Sequence, residues 1–253
     1  MYLNKGLIYL SIFSLFIFSN CSKNDVTTGL PSIDAANNKN VGASANDLLT
    51  SSKYASIVIE VQYMPGYQPD GASLSNLTAF LNNLVNKPSG IQIIQKQIAA
   101  SGKSSLSLND IATIEKNNRT AYTNGSQEAI YILLADAAYS DPNVFGVAYR
   151  NTSVSLFGKT IFDNSGNIGQ VNRTKLETTV LNHEFGHLLG LVDIGSPMQT
   201  NHKDAAHGNH CSNTNCLMYY ASETTDLLGF LITGSIPSLD ANCHADLHAN
   251  GGK

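Results

Sequence analysis

The sequence has little charge and few cysteines: 13% of its 253 residues are Asp, Glu, Lys or Arg, and four are Cys. Fifteen basic residues against nineteen acidic ones, a formal net charge of −4, leave no basic excess to neutralise phosphates, which excludes a nucleic-acid partner. Four cysteines are too few for a disulfide-built scaffold. Gly and Pro are scattered and no repeat is present, so collagen-like, low-complexity and solenoid readings fall away. The apolar run at residues 7–18 is only twelve long, whereas a membrane span needs about 20. What remains, 42% hydrophobic residues, suffices for a sizeable core.

Residues 1–20 carry one charge, Lys5, ahead of that short run, which fits a signal-peptide core. The run closes at Ser19-Asn20-Cys21, and this resembles a bacterial lipoprotein signal. The resemblance implies removal of residues 1–20, lipid on Cys21 and export to the outer membrane or cell surface; an ordinary secretory signal, giving a periplasmic or secreted chain, is the alternative. Ser22-Lys23-Asn24-Asp25 looks like the charged tags of surface-directed Bacteroidetes lipoproteins. The lipid would be the only membrane contact. Residues 21–50, polar and small without a period, read as a flexible tether, leaving 51–253 as one folded domain, expected to be a monomer.

Within that domain residues 54–63 (YASIVIEVQY) and 91–98 read as strands, and 129–135 (AIYILLA) as a strand buried on both faces. Residues 144–149 and 154–162 are further strands. Helical spacing marks 75–87, and Ser107 with Asp110 caps a second helix. These alternating elements predict an α/β fold: a mixed twisted sheet with two helices, then a loop-rich second half.

The chemistry is concentrated in His183-Glu184-Phe185-Gly186-His187, on a helix that opens with the capping-box pattern Thr174 to Glu177 and ends at Gly190. Two His at i and i+4 share a helix face and can reach one Zn²⁺ at about 2.0–2.1 Å, with Glu184 beside the metal as a proton acceptor. The continuation Leu188-Leu189-Gly190-Leu191-Val192-Asp193, with Cys216-Leu217-Met218-Tyr219-Tyr220 downstream, resembles the metzincin metalloproteases. The local likeness is to matrix metalloproteinases, archaemetzincins and snapalysin. It implies a two-part metzincin fold with the active-site helix between the parts, Met218 in a Met-turn beneath the metal, and a C-terminal helix, here 239–249 capped by Ser238.

The resemblance leaves the third ligand open. Asp193 is in register, as in snapalysin, whereas His210-Cys211 through Cys216-Leu217-Met218 matches the archaemetzincin segment in which the His is the ligand. His202 and His207 read as solvated loop residues, with Asp204 a candidate partner for a ligand His. Cys211, Cys216 and Cys243 predict one disulfide, from Cys243 to Cys211 or Cys216. Archaemetzincins hold a second zinc on four Cys; with three here, and His244 or His248 as a fourth, a second structural zinc is not expected.

By this resemblance the chain is a zinc endopeptidase acting on extracellular or periplasmic proteins or peptides. Glu184 would be the general base, Tyr220 a residue that swings onto the metal or the oxyanion, and residues 144–149 an edge that pairs with extended substrate. Two rivals remain. A gluzincin-type protease would use Glu223 or Asp226 of Glu223-Thr224-Thr225-Asp226, and a zinc-binding surface lipoprotein or adhesin would lack catalysis. A pro-segment Cys switch is ruled out because no Cys lies between 21 and 211; Asp25, Asp34 and Asp47 are the acidic alternatives.

Overall fold

The computed structural model describes residues 29–253; the leader and Cys21 lie outside them. In chain order the elements are α1 (Ala45–Leu49), β1 (Ser56–Tyr63), α2 (Gly71–Leu84), β2 (Ile91–Gln97), β3 (Ser105–Leu106), α3 (Leu108–Asn118), β4 (Gln127–Ala135), β5 (Ala138–Tyr139), β6 (Gly146–Arg150), β7 (Ser153–Phe157), α4 (Gly158–Asp163) and α5 (Arg173–Leu188). A 3-10 turn at Tyr220–Glu223, α6 (Leu227–Thr233) and α7 (Ala241–Ala249) follow. The main sheet has the order β2-β1-β4-β7-β6, parallel except for β6, which runs antiparallel to β7 along the edge. The expected mixed sheet with helices is therefore present. Among the described residues no helix is long and apolar enough to cross a membrane.

β4 is buried along nearly its whole length, which explains its unbroken apolar run. One sheet face packs Ile57, Ile59, Ile130, Ile132 and Leu156 against Leu77 and Leu81 of α2 and Val180 and Phe185 of α5. The other packs Tyr131, Leu133 and Phe157 with Ile111 of α3. Ser107 and Asp110 form the expected reciprocal cap of α3, and Lys103 with that cap holds the Asp110 carboxyl down at about 2.

Several boundaries differ from the sequence reading. Asp70 accepts from the Ser73 amide and starts α2 at Gly71. The strand expected over 154–162 stops at Phe157, because Gly158 turns into α4 at a point where a Cβ would stand 2.8 Å from the Ala135 carbonyl oxygen. Asn172, not Thr174, caps α5; Glu177 instead accepts from the Asp70 amide at 2.8 Å. Asp240, not Ser238, caps α7.

The larger correction concerns residues 29–50, expected to be a tether. They are packed against the domain. Asn37 is buried and donates to the Ala129 carbonyl and the Thr152 hydroxyl, and Leu48 and Leu49 of α1 join the core. Arg150, buried and paired with Glu115, reaches back to the Pro31 carbonyl at 2.6 Å and the Asn38 side chain at 3.1 Å. Composition missed this because the holding groups lie a hundred residues away.

Candidate metal centre

α5 is buried from Leu176 to Leu188, wedged between the sheet and the loop-rich half. It ends in a full Schellman motif: the Gly190 amide bonds the His187 carbonyl, the Leu191 amide bonds the Gly186 carbonyl, and Gly190 takes φ +79°. The chain then doubles back through Val192 (φ 56°) and Asp193 (φ 66°), closed by Ser196, whose amide and hydroxyl reach the Gly190 and Leu189 carbonyls. A positive φ at a β-branched Val is strained, and the surrounding hydrogen bonds hold it. The turn leaves Asp193 exposed and outside the ligand group.

His210 takes that place. Donor atoms of His183, His187, His210 and Glu223 all lie within 4.8 Å of one another. The His183 Nδ1–H donates to the Leu217 carbonyl at 2.7 Å and the His210 Nδ1–H to the His207 carbonyl at 2.6 Å. A carbonyl can only accept, so Nδ1 carries a proton in each ring and Nε2 is the nitrogen turned to the centre. His183 Nε2 is 3.1 Å from His187 Nε2 and 3.6 Å from a Glu223 oxygen, and His210 Nε2 is 3.4 Å from the other Glu223 oxygen. Ligands at about 2.0–2.1 Å from Zn²⁺ in a tetrahedron stand about 3.3–3.4 Å apart. The spacings fit a zinc ion, and converging lone pairs and a carboxylate need positive charge between them. Burial, then the neighbouring His183, holds the His187 pKa well below its ordinary value, which keeps that ring neutral. Burial would lower His210 too, but Glu223 outweighs it and the net shift is upward; Glu223 is itself lowered, its contacts with His183 and His210 outweighing burial.

Glu184 is fully buried next to this group, and neither of its carboxylate oxygens has a partner of normal hydrogen-bond geometry. Burial first, then the Glu223 charge, drives its pKa well above the ordinary carboxylate value, against a weak pull from the Ala148 amide. Edge strand β6 passes over it at Gly146, where a Cβ would come within 2.9 Å of Glu184 Oε1. Beneath the helix, Met218 Sδ fills the space that a side chain at Gly186 would need, as expected of a Met-turn. The Tyr220 ring stacks on His207, with centroids 3.7 Å apart. Asp204 bonds His207 at 2.7 Å, and its amide bonds the His210 carbonyl.

The three cysteines also depart from expectation. All are buried and none is in a disulfide; Cys216 Sγ and Cys243 Sγ stand 3.6 Å apart, against about 2.05 Å for a bond. His202, read as a solvated loop residue, is buried between them and Asp246, its Nδ1 3.3 Å from Cys211 Sγ and 4.0 Å from Cys243 Sγ, its Nε2 2.8 Å from the Asp246 carboxylate. His202, Cys211, Asp240 and Cys243 form a second group with donor atoms within 4.8 Å of one another. Neither His244 nor His248 takes part. Cys216, beside Cys243, is pulled down to about 4 by Cys211 and Cys243. The carboxylate behind His202 is the one sign of its role, and Asp246 is forty-four residues away in sequence.

Comparison with known proteins shows the family of the chain. No curated protein matches the sequence. Crystal structures similar to this chain include archaemetzincin from Methanopyrus kandleri (15% identity, 78% of this chain and 96% of that one, TM-score 0.48). Another is metalloproteinase-II from Bacteroides fragilis (13% identity, 80% of this chain and 56% of that one, TM-score 0.42). The family description Reprolysin_5, Metallo-peptidase family M12, matches residues 52–230. That match spans most of the chain and contains both motif histidines, His210 and Met218, and the protein accordingly belongs to metallopeptidase family M12, with the mixed α/β architecture and zinc dependence of a metzincin-like protease.

Proposed function

We propose that the chain is a zinc endopeptidase of exported proteins or peptides, with His183, His187 and His210 as metal ligands and Glu184 as general base. One observation carries the reading: three Nε2 atoms converge beside a buried, unpartnered carboxylate under an edge strand that has a glycine there. Zinc supplies the Lewis acidity that makes water a usable nucleophile near neutral pH. Glu184, buried beside the three histidines and without a hydrogen-bond partner of its own, would in its ionised form take the proton from the attacking water and return it to the leaving amine, a role worth about 10²–10⁴-fold. The free edge of β6 binds extended substrate by backbone pairing. Met218 and the Leu217 carbonyl fix the helix and the His183 ring from below.

The second group would hold a structural zinc on His202, Cys211, Cys243 and Cys216, soft thiolates being preferred to the Asp240 carboxylate. This replaces the expectation of a disulfide. The leader and Cys21 support export and lipid anchoring, which palmitate labelling of the wild type and Cys21→Ser would test. For the activity, Glu184→Gln should keep its metal and lose chelator-sensitive casein cleavage, and His210→Ala, but not Asp193→Ala, should lose catalytic zinc. Retained cleavage in Glu184→Gln would exclude the mechanism.

A further inference from the structure

We propose that Glu223 is a fourth, displaceable protein donor of the catalytic centre, carried on a strap, residues 220–226, that also covers the approach to β6. The chain as folded is then a latent form. This inference rests on the zinc-endopeptidase reading above.

The geometry gives Glu223 the corner that a catalytic centre keeps open. Its two carboxylate oxygens stand 3.6 Å from His183 Nε2 and 3.4 Å from His210 Nε2, spacings close to the edge of a zinc tetrahedron, about 3.3–3.4 Å. Three protein donors leave room for water and substrate, whereas four make the closed set typical of structural zinc. Glu184 cannot serve as this fourth donor, since it is not one of the grouped atoms.

The strap that carries Glu223 is tied to the sheet at one place. The Phe145 amide donates to the Glu223 carbonyl at 2.8 Å, Val144 bridges Thr224, and the Thr225 amide donates to the Asn143 carbonyl at 3.0 Å. Residues 143–145 lead directly into β6, so an extended peptide pairing along this edge past Gly146 needs the same backbone groups. Binding of substrate and withdrawal of Glu223 are therefore one event. The 3-10 turn has no side-chain cap, and beyond it Leu227 and Leu231 anchor α6 in the core while Phe230 and Ile232 stay about half exposed.

The test uses the full chain loaded with cobalt, whose visible spectrum reads the donor set, and acetohydroxamate as a small chelating probe. Glu223→Gln and Glu223→Ala should alter the cobalt spectrum, bind acetohydroxamate about tenfold tighter, or about 1.4 kcal/mol, and cleave casein faster than wild type. A crosslink between Asn143→Cys and Thr225→Cys, which leaves Glu223 in place, should weaken acetohydroxamate binding until reductant is added. Unchanged spectrum and affinity across these variants, in a chain that binds cobalt and cleaves casein, would overturn the latch and leave the protease reading intact. A wild-type chain that takes up no cobalt through His183, His187 and His210 would overturn both.

Discussion

Gly190→Ala should destabilise the protein through two separable effects. At φ +79° an alanine costs roughly 1–2 kcal/mol relative to glycine. Its Cβ would also stand 2.5 Å from the Ser196 nitrogen and 2.7 Å from both the Gly195 carbonyl carbon and Ala45 Cβ, two of which are backbone and cannot rotate away. Overpacking of this kind costs about 1–3 kcal/mol, for a total of about 2–5. In a domain of this size each kcal/mol lowers Tm by roughly 2–4 °C, so thermal unfolding should shift down by about 4–20 °C. Gly166→Ala is the control: its φ is +86°, and nothing lies within 4 Å of the added Cβ. It should show only the conformational part, about 2–8 °C and the smaller of the two shifts. Equal shifts for the two variants would refute the claim that the return of the chain at 195–196 packs against Gly190.

Other expectations follow from buried charges and thiols. Burial raises the Glu177 pKa from 4.5 to about 7, so the folded chain keeps a proton that the unfolded chain has released. That contribution is complete below pH 4.5 and is lost as pH rises toward about 7; in urea titrations Glu177→Gln should remove up to about 3 kcal/mol of this fall, and parallel pH profiles would contradict it. Glu115 is buried between Arg119 and Arg150, and Glu115→Ala strands two guanidinium groups at a cost of about 3–5 kcal/mol, with earlier proteolysis near Pro31; urea midpoints and cleavage mapping measure both. Zinc analysis should find two ions per chain in the wild type and one in Cys243→Ser, while thiol titration of denatured, unreduced and metal-chelated wild type should find Cys211, Cys216 and Cys243 all reactive.

The parts of this architecture legible in sequence are those set by local chemistry. His183, Glu184 and His187 are spaced by helix geometry, Gly190 by the cap, and β4 by an unbroken apolar run. Each needs only near neighbours to be understood. The third donor was open because register after Gly190 pointed to Asp193, and only the left-handed turn at 192–193 shows where that carboxylate goes. His202 was misread for the same reason: its burial depends on Asp246 and Cys243 arriving from α7. Residues 29–50 looked like a tether because their polar side chains are satisfied by distant groups, as Asn37 is by Thr152. The three thiols suggested oxidation, since sequence counts cysteines but does not measure 3.6 Å.

The hydrogen bond from the Cys211 amide to the Met218 carbonyl, at 2.7 Å, closes residues 211–218 into a ring. His210 is attached at one end, the Leu217 carbonyl that orients His183 is near the other, and Cys211 and Cys216 lie between. The positions of His183 and His210 are therefore not independent: a distortion anywhere in this ring is shared by both side chains, although they stand twenty-seven residues apart in sequence.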